Sequence, residues 1–228
     1  MEVFEYKNVV IETPNSPQAE AYRKLELNLR MSSIDKPYQV MQVTSATPED
    51  GKTTTAINLA SVYAERGKKV LILDFDLRRP KIHRAFHKTN DLGLFDYVVN
   101  DTPVEDLIIN DESKIDLLLT GNTLSSPHVI LQSKKISDLI KKMREKYDYI
   151  IVDSPPVLTV TDALIISELV DCVIYIVAYK KTKKDQAKFA LRQLKENKAN
   201  VIGAVFSNID VKQNRDYYDY YSYRSEDK

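Results

Sequence analysis

Short runs of consecutive apolar residues alternate along this chain with stretches in which apolar residues recur every three or four positions. The runs predict strands at Tyr38–Val43, Lys69–Asp74, Ile115–Leu119, Tyr149–Asp153, Cys172–Ala178 and Val201–Phe206. They are nearly continuous rather than alternating, the signature of parallel strands covered on both faces. Helical spacing predicts helices at Gln18–Met31, with Tyr22, Leu25 and Leu29 on one face, and at Thr54–Glu65. It also predicts a basic amphipathic helix at Ile136–Tyr147, then helices at Ala163–Leu169 and Asp185–Asn197. Residues 1–17, around Pro14 and Pro17, read as an extended arm, and Ser32–Pro37 as a loop. Residues 80–110 read as irregular, with brief helical pieces at Lys81–Phe86 and Leu94–Val99. Strands alternating with helices imply an α/β fold, a doubly wound and mainly parallel sheet, over residues 1–212. The last sixteen residues, 213–228, are polar, rich in tyrosine and without period, and are expected to form a flexible tail.

Composition narrows the class. Of 228 residues 43% are hydrophobic, enough for a substantial core, and Lys plus Arg balance Asp plus Glu at 33 each, so bulk charge points neither to nucleic acid nor to anionic lipid. Cys172 is the single cysteine, which excludes an internal disulfide and a thiolate metal cluster. No apolar run approaches the roughly 20 residues of a membrane span. The start of the chain lacks the basic-then-apolar layout of a signal peptide. The expectation is a cytoplasmic protein without direct membrane insertion.

The chemistry concentrates after the first strand. Ala46-Thr47-Pro48-Glu49-Asp50-Gly51-Lys52-Thr53 fits the phosphate-binding pattern G-x-x-x-x-G-K-[ST], with alanine for the first glycine, between a predicted strand and a predicted helix. Loop amides and the helix N-terminus suit a polyphosphate, so Thr47, Pro48, Glu49, Asp50, Gly51, Lys52, Thr53 and Thr54 are the candidate ATP contacts. Lys52 is expected at the β- and γ-phosphates and Thr53 at Mg²⁺. Three aspartates, Asp74, Asp76 and Asp153, close two further strands at their carboxyl ends, where ligands of open α/β sheets bind. Isolated strand-end aspartates commonly cap turns, but three beside such a loop favour a metal and phosphate site.

Three further segments resemble one family. Leu71-Ile72-Leu73-Asp74-Phe75-Asp76-Leu77-Arg78 looks like the second Walker A motif of the bacterial tyrosine kinases, and Ile150-Ile151-Val152-Asp153-Ser154-Pro155-Pro156 like their Walker B motif. Tyr217, Tyr218, Tyr220, Tyr221 and Tyr223 resemble their C-terminal tyrosine cluster. The resemblance implies a P-loop fold related to partition and cell-division ATPases, and ATP- and Mg²⁺-dependent phosphorylation of that cluster between subunits. It also implies control of capsule or exopolysaccharide production, a membrane-embedded chain-length regulator as activator that recruits the kinase to the inner face of the plasma membrane, and a cognate phosphotyrosine phosphatase. Lys52, Asp74, Asp76 and Arg78 are then the expected catalytic set, with Asp74 as base, and Thr53, Asp76 and Asp153 at Mg²⁺. Arg78 would steady the γ-phosphate or pair with an aspartate, and Asn208 would reach the adenine edge. The family's ring-forming Glu-x-x-Arg-x-x-Arg on the first helix, residues 18–33, is matched at Glu20 and Arg23. Glu26 holds the third place, and Arg30, one turn on, is the substitute. The family's proline-rich loop is reduced at Gly121–Leu131 to Pro127 alone. The rivals are a partition-type ATPase switch, which would need a lysine where Thr47 stands, and a non-catalytic nucleotide-binding scaffold, which intact Lys52, Asp74, Asp76 and Asp153 oppose.

Overall fold

The structure is a computed structural model, and it describes residues 6–33, 37–122 and 127–209. Its strands are β1 Val40–Ser45, β2 Val70–Asp74, β3 Ile109–Asn110, β4 Ile115–Leu118, β5 Tyr149–Asp153, β6 Cys172–Ala178 and β7 Val201–Ser207. Its helices are α1 Val9–Glu12, α2 Pro17–Met31, α3 Lys52–Glu65, α4 Ile82–Ala85, α5 Leu94–Val99, α6 Pro127–Leu131, α7 Lys134–Arg144, α8 Asp162–Ser167 and α9 Lys184–Glu196. The sheet runs β3-β4-β2-β5-β1-β6-β7. Every pairing is parallel except β3 with β4. From β1 the chain passes to β2 and on to the β3–β4 edge, returns to β5 between β2 and β1, and then adds β6 and β7 on the other side of β1; the crevice at such a reversal is where these sheets take ligands.

The continuous apolar runs are explained by layering. Every residue of β1 and β2 is buried, because α3 covers one face and α7 and α8 lie over the other. On the α3 side Ile57, Leu59, Ala60 and Tyr63 meet Met41, Val43, Ile72, Ile151 and Ile174; on the other side Leu71, Leu73, Ile150 and Val152 meet Ile136, Leu139, Ile140 and Met143. α7 carries its apolar residues on one stripe, and Lys141, Lys142 and Arg144 in its last turn suit the helix dipole.

Two expectations need correction. The arm before Pro17 is not extended throughout: Val9–Glu12 forms one helical turn whose Val10 is buried against Ala19 and Val62. The turn is too short to show a period, and tertiary contacts hold it. The segment 80–110 also supplies Ile109–Asn110 as an antiparallel edge strand on β4. Other boundaries move by a few residues; α2 starts at Pro17 because Ser16 caps it, its hydroxyl accepting from the Ala19 N–H at 3.2 Å. The tyrosine cluster 217–223 and the tail boundary at 213 lie outside the described residues.

The start of β1 is tied to the far side of the sheet by one carboxylate. Asp171 accepts from the N–H groups of Gln39 and Val40 at 2.9 and 2.8 Å and holds the Arg144 guanidinium through both oxygens, at 2.9 and 2.8 Å. Burial works against its charge, yet Arg144 and the two N–H groups outweigh it and hold the carboxyl below its ordinary value. Asp171→Asn is expected to lower stability by about 1–3 kcal/mol at neutral pH. A carboxylate with a depressed folded value contributes above its unfolded value and loses that contribution as pH falls, so the deficit in urea unfolding should shrink below about pH 4.

Candidate active site

β1 ends at Ser45, and the loop that follows is shaped by a carboxylate turned inward. Asp50 is fully buried; it accepts from the Thr47 N–H at 2.9 Å, from the Thr47 hydroxyl at 2.9 Å and from the Thr182 hydroxyl at 3.0 Å. The Ser207 hydroxyl donates to the Asp50 carbonyl at 2.5 Å, and Lys181 donates to the Glu49 carbonyl at 2.8 Å and the Pro48 carbonyl at 3.3 Å. Residues just past β6 and at the end of β7 thus hold the loop from behind. Gly51 has φ 92°, and a Cβ there would stand 3.1 Å from the Ser207 Cβ, so both backbone conformation and close approach require glycine. Asp50, expected among the ATP contacts, is placed as the brace of the loop.

α3 opens directly on Lys52 and Thr53. Lys52 is only 5% exposed, and among the described residues no hydrogen bond or ion pair ties its ammonium down. Burial lowers its pKa, Asp153 opposes that, and the neighbouring charge of Lys81 adds to it. The Thr53 hydroxyl donates to Asp153 Oδ2 at 2.7 Å, while Asp153 Oδ1 is buried with no partner. An unpaired ammonium beside an orphaned carboxylate oxygen, at a helix N-terminus, fits a phosphate chain with a divalent cation. Lys52, Thr53, Asp76 and Asp153 are the side chains that would hold them.

The register of β2 on β5 sets Asp74 opposite Asp153. Asp74 is buried; its Oδ2 accepts from the N–H groups of Lys81 and Ile82, both at 3.1 Å, and its Oδ1 from the Asp76 N–H at 3.3 Å. Burial first, and then the Asp153 charge, raise its pKa well above the ordinary carboxylate value. Asp153 is pushed up to about 6 by burial, with Lys52 and the Thr53 hydroxyl opposing. Asp76 is 8% exposed and raised by burial, against the Arg79 N–H at 3.1 Å and the Lys52 charge.

The remaining expected residues divide. Arg78 is placed on Asp162, the first residue of α8, at 2.8 and 3.3 Å, and not on Asp74, Asp76 or Asp153. Asn208, with φ 57°, lines a cavity of about 330 Å³ together with Gly51, Thr54, Thr55 and Ser207. On α2, Arg23 grips Glu65 at 3.0 and 2.9 Å, and Glu20 lies 3.7 Å from it. Glu26, buried to 1%, takes Arg66 at 3.0 Å and Arg30 at 3.4 Å. Arg30 is therefore engaged within the chain, and Glu20 and Arg30 keep their side chains half exposed. Sequence reasoning missed Lys81, Lys181, Thr182 and Ser207. Their signal was position: they follow or end strands at the carboxyl edge of the sheet.

A family model described as AAA domain matches residues 43–205. The chain is 35% identical to the tyrosine-protein kinase YwqD of Bacillus subtilis, over 92% of this chain and 90% of that one. It is 30% identical to the putative tyrosine-protein kinase CapB of Staphylococcus aureus, over 93% of each. The crystal structure of the chimerical protein CapA2B2 superposes with a TM-score of 0.84 at 34% identity, covering 87% of this chain and 88% of that one. The septum site-determining protein MinD of Pyrococcus horikoshii, complexed with Mg-ADP, superposes at 0.63 and 22% identity over 78% and 76%, a likeness of fold alone. Among the described residues no helix is long and apolar enough to cross a membrane.

Asp50→Ala should leave the sheet intact but free the loop. Losing this brace, at about 1–3 kcal/mol, should weaken ATP binding in calorimetry by about 10- to 100-fold. Unchanged affinity would show that Ser207 and Lys181 hold the loop without it.

Proposed function

The chain belongs to the bacterial tyrosine-protein kinases, and from that membership we propose that it transfers the γ-phosphoryl group of ATP to tyrosine hydroxyls, first of all those of its own C-terminal cluster, Tyr217, Tyr218, Tyr220, Tyr221 and Tyr223, on a neighbouring subunit. The observation that carries the reading is the meeting of Lys52, the Thr53–Asp153 pair, Asp74 and Asp76 at the carboxyl ends of β1, β2 and β5. Bound Mg²⁺ supplies charge neutralisation for the transferring phosphoryl group. Lys52 and the amides of residues 47–54 bind the phosphates; Thr53, Asp76 and Asp153 orient the metal. A tyrosine hydroxyl arrives protonated at neutral pH, since its ordinary pKa is about 10. Asp74 is the base: its raised affinity for a proton suits it to accept one, and the N–H groups of Lys81 and Ile82 hold it in one orientation. Asn208 and the cavity beside Gly51 would take the nucleoside. Arg78 is assigned to positioning, through Asp162 and α8.

Further roles rest on the same membership. Capsule or exopolysaccharide synthesis would be the regulated process, a membrane-embedded chain-length regulator the activator, and a phosphotyrosine phosphatase the reset. A ring of subunits, with Glu20, Arg23 and Arg30 on the contacting face of α2, would bring one tail to the next active site, at the inner face of the plasma membrane. The partition-type ATPase switch is disfavoured by Thr47, whose side chain is spent on Asp50 and where that class requires lysine.

Lys52→Met should abolish transfer while circular dichroism stays native, since the ammonium faces ligand and not core. Asp74→Asn should keep Mg²⁺-dependent ATP binding and stop transfer, whereas Asp76→Asn should weaken that binding. Phosphate mapping by mass spectrometry with parallel calorimetry reads all three; loss of Mg²⁺-dependent binding in Asp74→Asn would exchange the two roles.

A further inference from the structure

α9 presents a row of cations to solvent. Lys184, Lys188, Arg192 and Lys195 recur at steps of four, four and three, so they share one face of the helix. All four are exposed, while Ala190 and Leu194 are buried against Val173 and Tyr175 of β6. Like charges at this spacing repel one another. Among the described residues no hydrogen bond or ion pair engages the ammonium of Lys184, Lys188 or Lys195. The Arg192 guanidinium lies over the half-exposed Phe189 ring, 5.4 Å from its centroid. α7, equally rich in cations, is the contrast: Lys142 and Lys146 share Glu105, Lys135 holds Asp101 and Arg144 holds Asp171. Residues 180–198 carry eight Lys or Arg against two acidic residues, in a chain whose net charge is zero. The chain beyond the described residues sets out beside this helix. Ser207 pairs with Ala178 and its carbonyl accepts the Tyr179 N–H at 2.9 Å, five residues before α9 opens at Lys184. α9, at 13 residues, is about 20 Å long. Extended, residues 210–216 span about 23 Å and residues 217–223 about 20 Å, so the tyrosine cluster matches the row in both reach and length.

We propose that the cationic row on α9 is the docking site of this chain's own tail once its tyrosines carry phosphate. The inference rests on the kinase reading above. Phosphate oxygens accept from Lys184, Lys188, Arg192 and Lys195, and the tyrosine rings find an apolar surface at Phe189. The unmodified tail has little to offer such a row, since residues 210–228 hold five acidic and four basic residues. Each phosphate adds about −1.5 to −2 charges, so the row becomes complementary to the tail only after transfer. A docked tail is withheld from the neighbouring active site, and the product of the reaction is removed by the subunit that carries it.

The test follows, by fluorescence anisotropy, a synthetic peptide of residues 210–228 binding to full-length Lys52→Met chain, whose own tail stays unmodified. The peptide is used with and without phosphate on its five tyrosines. Lys188→Gln, Arg192→Gln and Lys195→Gln are combined in one variant; Lys141→Gln, Lys142→Gln and Lys146→Gln, combined in another, remove the same charge from α7. The phosphopeptide is expected to bind about tenfold or more tighter than the plain peptide, and more weakly as salt rises. The α9 variant should lose about tenfold or more and the α7 variant at most about twofold. Equal losses in the two variants, or equal affinity for the two peptides, would overturn the docking site. Vesicles of phosphatidylglycerol that bind through the same three residues, with no binding of phosphopeptide, would overturn it in favour of a lipid surface. A changed mass of the unphosphorylated α9 variant in light scattering would overturn it in favour of a contact between copies. Wild-type chain given ATP and Mg²⁺ is mapped in parallel by mass spectrometry. A phosphorylated tail there with no α9-dependent peptide binding would sink the docking site alone, and a tail bare of phosphate would sink the kinase reading and its occupant with it.

Discussion

The pairing of β2 with β5 is the constraint around which the rest of the molecule is arranged. It places Asp74 and Asp153 side by side at the carboxyl end of a sheet covered on both faces, where two negative charges are unfavourable together. Asp76 adds to that cost, and the other groups around them reduce it. Backbone N–H groups from the start of α4 turn to Asp74, the Thr53 hydroxyl turns to Asp153, and the ammonium of Lys52 stands within their field. The compensation is incomplete: both carboxyls keep a raised affinity for a proton, and one oxygen of Asp153 has no partner. A site left short of positive charge in this way is suited to a divalent cation and to receiving a proton, the two services phosphoryl transfer to a hydroxyl requires.

The phosphate loop depends on strands that are distant in sequence. Its apex is held by Lys181, from beyond β6, on the carbonyls of Pro48 and Glu49, and by Thr182 and by Ser207, from the end of β7, on Asp50. Movement of the outer strands would therefore reach the loop directly. The loop's geometry is coupled to the edge of the sheet that carries the chain on towards its tyrosine-rich tail.

On the opposite flank α2 is fastened to α3 by charge as well as by apolar contact. Glu26 is buried against Arg30 and Arg66, and these ion pairs tie α2 to the end of α3. Only the carboxylate is buried, so loss of both arginines would leave it uncompensated, whereas loss of Glu26 leaves two half-exposed guanidinium groups to solvent. Arg23 is committed in the same way to Glu65.

Much of this was legible in order along the chain. Continuous apolar runs gave β1, β2, β5 and β6 within two or three residues, because strands buried on both faces are mostly apolar, and the buried polar residues of β1, Gln42, Thr44 and Ser45, are hydrogen-bonded. Gly51-Lys52-Thr53 and the three aspartates were recognisable because their work is done by residue type at the end of a local strand. The single turn Val9–Glu12, the edge strand Ile109–Asn110 and the brace at Asp50 were not, since each is stabilised by groups far away in sequence and carries no period of its own. Asp50 reads as one more polar residue in a phosphate loop until Thr182 and Ser207 arrive beside it. Local chemistry, then, was set by the order of residues; which carboxylate faces the ligand and which faces inward was decided only when parallel pairing brought the ends of β1, β2, β5, β6 and β7 to one edge, because burial and hydrogen-bond partners exist only in the folded chain.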